Sequence, residues 1–81
     1  MSTLERLNNC LAAMLFDPVA SEDQRFVEDI GFDSLDFMEL SISIEDEFGF
    51  KVPDEDYENG KISTVRQAVE YIDGRLAEEG K

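Results

Sequence analysis

The stretch Asp33-Ser34-Leu35-Asp36-Phe37-Met38-Glu39-Leu40-Ser41-Ile42-Ser43-Ile44-Glu45-Asp46-Glu47-Phe48 reads as one helix with two apolar faces and a serine at its start. Asp33 suits an N-cap, because its carboxylate can accept hydrogen bonds from the unpaired amides of the first turn. Ser34 then falls on that turn, exposed, where unpaired N–H groups and the helix dipole favour a phosphate. Taken alone, Asp-Ser is an ordinary capping pair. Its surroundings say more. At 100° per residue, Phe37, Leu40, Ile44 and Phe48 fall within about 80° of one another and predict a core stripe. Leu35, Met38 and Ile42 form a second stripe about 150° away, with Glu39 and Asp46 on one flank and Glu45 on the other. One helix in a domain of 81 residues is not expected to bury both sides. The second stripe therefore reads as a solvent-facing apolar seam in an acidic frame, suited to docking a partner with a basic patch. The competing reading packs Leu35, Met38 and Ile42 under a loop. Ser34 heads the seam, so a partner gripping it would hold the serine at its own active site.

This helix, with Gly31-Phe32 before it, Gly49 after it and Val52-Pro53-Asp54-Glu55-Asp56 beyond, closely resembles the acyl carrier proteins. The resemblance runs from about Leu4 to Leu76 and is most specific between Glu28 and Asp56. It implies that Ser34 bears covalent 4′-phosphopantetheine, whose thiol carries acyl groups as thioesters, with Asp33, Leu35 and Asp36 completing the attachment motif. It further implies dealings with a phosphopantetheinyl transferase (holo-carrier synthase), acyltransferases, ketosynthases and other acyl-processing enzymes of fatty-acid, polyketide or related pathways. Docking would fall to Leu35, Met38, Glu39, Ile42, Glu45 and Asp46. The segment Tyr57-Glu58-Asn59-Gly60-Lys61 is slightly longer than the family pattern. Gly60 is expected to loosen the third helix, which borders the route a tethered chain would take into the bundle. A specialised carrier is accordingly expected over a housekeeping fatty-acid carrier.

Composition agrees. Net charge is −13, and residues 34–58 hold nine acids and one base while residues 59–81 hold four of each. Such a surface repels nucleic acid and anionic membrane and attracts basic protein patches. The single cysteine, Cys10, excludes an intrachain disulfide framework and suits a reducing compartment. The N-terminus shows no signal-peptide pattern and the longest apolar run is far too short to cross a bilayer, so a soluble, cytoplasmic protein is expected; a monomer is also expected. With no histidine, the commonest general base and metal ligand is missing. Cys10 lies in an apolar helix, where an inert thiol is expected. No active site and no specific metal site are expected.

The chain reads as all-α: a small four-helix bundle of three longer helices and one short one, in a single domain over 1–81, with a long loop between the first two helices. Ser2 and Glu5 predict a capping box opening a helix from about Thr3 to Phe16, with Leu4, Leu7, Leu11, Met14 and Leu15 at helical spacing. Asp17-Pro18 closes it. Residues 17–33 form the loop, with Phe26, Val27 and Ile30 as expected core anchors. Gly49 suits a C-cap, Lys51-Val52-Pro53 an extended bridge, and Asp54 the start of the short helix. Thr64 and Gln67 predict a second capping box, opening a final helix through Leu76 with Val65, Ala68, Val69, Ile72 and Leu76 inward and the tail 77–81 frayed. A calcium loop fails here: aligning Gly60 with its glycine puts Tyr57 and Arg66 at ligand positions. A peptidyl or D-alanyl carrier, or an acidic helical interaction domain without chemistry, remains an alternative.

Overall fold

The computed structural model describes residues 2–58 and 62–79. Four α-helices, Thr3–Ala13 (α1), Ser34–Phe48 (α2), Asp54–Glu58 (α3) and Val65–Glu79 (α4), form the all-α bundle of three longer helices and one short one expected from the sequence. Among the described residues there is no strand, only an isolated bridge between Arg25 and Thr64. α1 packs against both α2 and α4. Leu7 and Leu11 of α1, Leu40 and Ile44 of α2, and Val65 and Ile72 of α4 meet in the core. Phe37, Phe48, Val69 and Leu76 pack against it part-buried.

Local chemistry sets the helix ends. In α1, the Glu5 amide donates to Ser2 Oγ and the Ser2 amide donates to Glu5 Oε1, both at 3.1 Å, completing the expected capping box. The bond from the Ser2 amide, with one from its hydroxyl, holds the Glu5 carboxyl below its ordinary range. α1 stops at Ala13, three residues before the expected Phe16. The Phe16 amide donates to Leu11 O and the Leu15 amide to Ala12 O, the paired bonds of a Schellman turn, with Leu15 where glycine is usual. Leu15 sits at φ 67 and is 95 % exposed, so it is not part of the core face. The turn swings Phe16 inward instead, its ring 4.9 Å from that of Phe32. α2 ends on Gly49 at φ 87, whose amide donates to Glu45 O. α2 has no basic residue in its last turn. Arg6 of α1 supplies the cation that a C-terminus favours, donating to Glu47 O at 2.6 Å and Glu47 Oε2 at 3.0 Å over the Phe48 ring.

The long loop is held at both ends. The Val19 amide donates to Asn8 Oδ1 at 2.9 Å. Further on, the Val65 amide donates to Gln24 O, the Arg66 amide to Glu22 O, and the Phe26 amide to Ser63 O, lashing the loop across the start of α4. Phe26–Ile30 forms a wide π-type turn closed by Gly31 at φ 91, which the sequence had not suggested. Of the three expected anchors, Phe26 is fully buried and Ile30 part-buried, but Val27 is 52 % exposed. Neighbours within one helical turn face different ways, and Phe26 and Ile30 take the inward side. α4 opens with the expected Thr64–Gln67 box and runs three residues past Leu76, so Ala77 to Glu79 are helical rather than frayed. The Gly60 expectation lies outside the described residues. α3 is tied to α4 by the Tyr71 hydroxyl, which donates to Asp56 Oδ2. Burial, then that bond, pushes the Tyr71 pKa up to about 12.

Candidate functional site

Everything at the start of α2 follows from its first turn. Asp33 is extended, and its Oδ1 accepts from the Asp36 amide while the Asp33 amide donates to Asp36 Oδ2, both at 3.0 Å. Asp36 is thus the second half of a capping box, a role the sequence reading had not given it. Phe32, just before the cap, stacks edge-on against Phe37 with ring centroids 5.2 Å apart, the arrangement of a hydrophobic staple. Box and staple together fix the angle at which the chain enters the helix. Ser34 is exposed, and among the described residues its hydroxyl, its amide and that of Leu35 have no hydrogen-bond partner. By contrast, the hydroxyls of Ser2, Ser21, Ser41 and Ser63 are all engaged locally. Ser34 therefore offers a nucleophilic oxygen beside two open donors at the positive end of a helix.

Ser34 also lines a cleft of about 430 Å³, together with Val27, Phe32, Asp33, Phe37 and Tyr57. The Tyr57 ring stacks on Phe37 with centroids 5.7 Å apart and planes 9° from parallel, and its hydroxyl donates to Asp54 Oδ1 at 2.9 Å. The sequence reading missed this cleft. The staple spacing of Phe32 and Phe37 was a usable signal for half of it. Nothing in the sequence places Tyr57 opposite Phe37, because that depends on how α3 is set across α2.

The second stripe of α2 faces solvent: Leu35 is 58 %, Met38 46 % and Ile42 55 % exposed. Glu39, Glu45 and Asp46 are exposed beside it. The reading in which these apolar residues pack under a loop is overturned. Cys10 is buried, and burial first, then the Glu47 charge, pushes its thiol up to about 11, far from a reactive thiolate at neutral pH. Among the described residues, no group of three or more Cys, Asp or Glu side chains could hold a metal ion, and no helix is long and apolar enough to cross a membrane.

Comparison with known families agrees with this geometry. The family described as phosphopantetheine attachment site matches residues 5–72, which takes in all of α2 and α3 and the start of α4.

Proposed function

The chain belongs to the phosphopantetheine attachment family, whose members carry 4′-phosphopantetheine covalently, and from that membership we propose an acyl carrier protein with Ser34 as the attachment residue. One observation carries the assignment. Among the described residues, Ser34 alone combines an unengaged hydroxyl, open first-turn amides and a ligand-sized cleft at its side. When bound, the group supplies a thiol that holds acyl groups as thioesters. In the loading step, Ser34 Oγ forms a P–O bond to the pantetheine-side phosphate of coenzyme A. The pyrophosphate P–O bond breaks, and adenosine 3′,5′-bisphosphate leaves. The hydroxyl proton passes to a base of the transferase, since this chain has no histidine. The open Ser34 and Leu35 amides and the helix dipole suit the phosphodiester that results.

Presentation is the rest of the work. The seam Leu35-Met38-Ile42, framed by Glu39, Glu45 and Asp46, suits phosphopantetheinyl transferases, acyltransferases and ketosynthases that offer an apolar pocket in a basic rim. In this reading the protein is a cytoplasmic carrier and not itself an enzyme. The acidic seam favours acyl carriage over peptidyl or D-alanyl carriage. Intact mass after incubation with coenzyme A and a phosphopantetheinyl transferase tests the assignment: one prosthetic group is added to the native chain and none to Ser34→Ala. Addition to Ser34→Ala at Ser41, Ser43 or Ser63 would sink it. Met38→Ala and Glu39→Lys should slow loading while the helical circular dichroism stays unchanged.

A further inference from the structure

Phe37 and Tyr57 form a wall with unequal spaces on its two sides. Outside lies the cleft beside Ser34, about 430 Å³, within the roughly 300–1,000 Å³ usual for small-molecule sites. Inside, between Leu40, Ile44, Val52 and Ile62, the free space is about 10 Å³. That is no more than the ~10–15 Å³ a single water requires. The wall itself is two near-parallel rings 5.7 Å apart. Phe37 is braced by Phe26 at 5.8 Å and Phe32 at 5.2 Å, and Tyr57 is tied to Asp54. A packed aromatic cluster of this kind has no slack through which a chain could slide; a ring must leave its place first.

We propose that the stacked Phe37–Tyr57 pair is a closed gate between cleft and core, and that this carrier's cargo is a short acyl group held in the surface cleft rather than an alkyl chain lodged in the bundle. The inference rests on Ser34 bearing the arm. An acyl group of a few carbons meets Val27, Phe32 and the outer faces of the two rings, and so leaves water for an apolar surface. Carbons added beyond the cleft stay in water, and their length brings no further burial.

A series of acyl thioesters on the holo protein, from acetyl to dodecanoyl, tests the gate by thermal melting. The native Tm should rise over the shortest chains and then stay level. In Tyr57→Ala, which joins the two spaces, it should keep rising with length. A native Tm that climbs steadily to dodecanoyl overturns the gate, and so does a Tyr57→Ala profile identical to the native one. Should Tyr57→Ala fail to fold, the methyl resonances of Ile44 and Ile62 in the native protein decide. Shifts unchanged between butyryl and decanoyl support the gate, and shifts that grow with chain length overturn it. Intact mass before acylation separates this from the carrier assignment: no mass gain with coenzyme A overturns the carrier itself, whereas a mass gain with a steadily climbing Tm overturns only the gate.

Discussion

α2 and α4 begin in nearly the same way and end up with opposite uses. Each opens with a reciprocal capping box, Asp33 with Asp36 in one and Thr64 with Gln67 in the other. At α4 the next two amides, those of Val65 and Arg66, are taken by carbonyls of the long loop, and Arg66 is paired with Asp23 at 2.6 Å. At α2 the equivalent amides, those of Ser34 and Leu35, have no partner among the described residues. One helix start is plugged by its own chain and is structural. The other is left open beside a cleft and a hydroxyl. A capping box therefore marks where a helix begins, and the remaining donors decide whether that beginning is available to a ligand.

The largest blow to this contrast is Phe26→Ala. Phe26 is fully buried and pins the loop that covers the start of α4, so its removal should cost about 3–5 kcal/mol in denaturant unfolding. Hydrogen exchange at Val65 and Arg66 should quicken alongside. If those two amides stay protected, the loop is not what plugs α4. Next come the caps. Asp33→Ala and Thr64→Ala should each cost about 1 kcal/mol, but only Asp33→Ala should also slow loading by a phosphopantetheinyl transferase. Equal effects on loading would erase the distinction between the two helix starts.

A pH series probes stability away from the open end of α2. The Cys10 thiol is raised from 9.0 to about 11 and the Tyr71 phenol from 10.0 to about 12. Both are acids whose neutral form the fold retains. Their contribution is complete below the unfolded pKa and is lost as pH rises, from about 9 to 11 for the thiol and from about 10 to 12 for the phenol. The Tm should therefore fall through that window, and Tyr71→Phe should lessen the fall at its upper end. A Tm that is flat to pH 11 would show that neither group is held as described.

The smallest expected effect is that of salt. Residues 34–58 carry nine acids and one base, whereas residues 59–81 are balanced. Self-repulsion therefore concentrates in α2 and α3. Raising NaCl shortens its range, to about 10 Å at 0.1 M, so the Tm should rise while docking of a basic partner weakens. Opposite signs in one titration are the outcome to look for. A Tm indifferent to salt would mean that contacts such as Arg6–Glu47 already compensate the acids.

The sequence by itself determined the helices and the helix starts. The bounds of α2, both expected capping boxes and the exposed seam follow from spacings of three and four residues, because those interactions are local and repeat with the helical period. Phe26 as an anchor and Ser34 as an exposed first-turn residue were legible for the same reason. Tertiary structure alone decided the rest. That Phe16 packs on Phe32, that Val27 faces solvent, that the loop fills the start of α4, and that Tyr57 lies on Phe37 all depend on contacts between distant segments. No local pattern encodes such contacts, since each is settled by which surfaces the packed bundle leaves to bury.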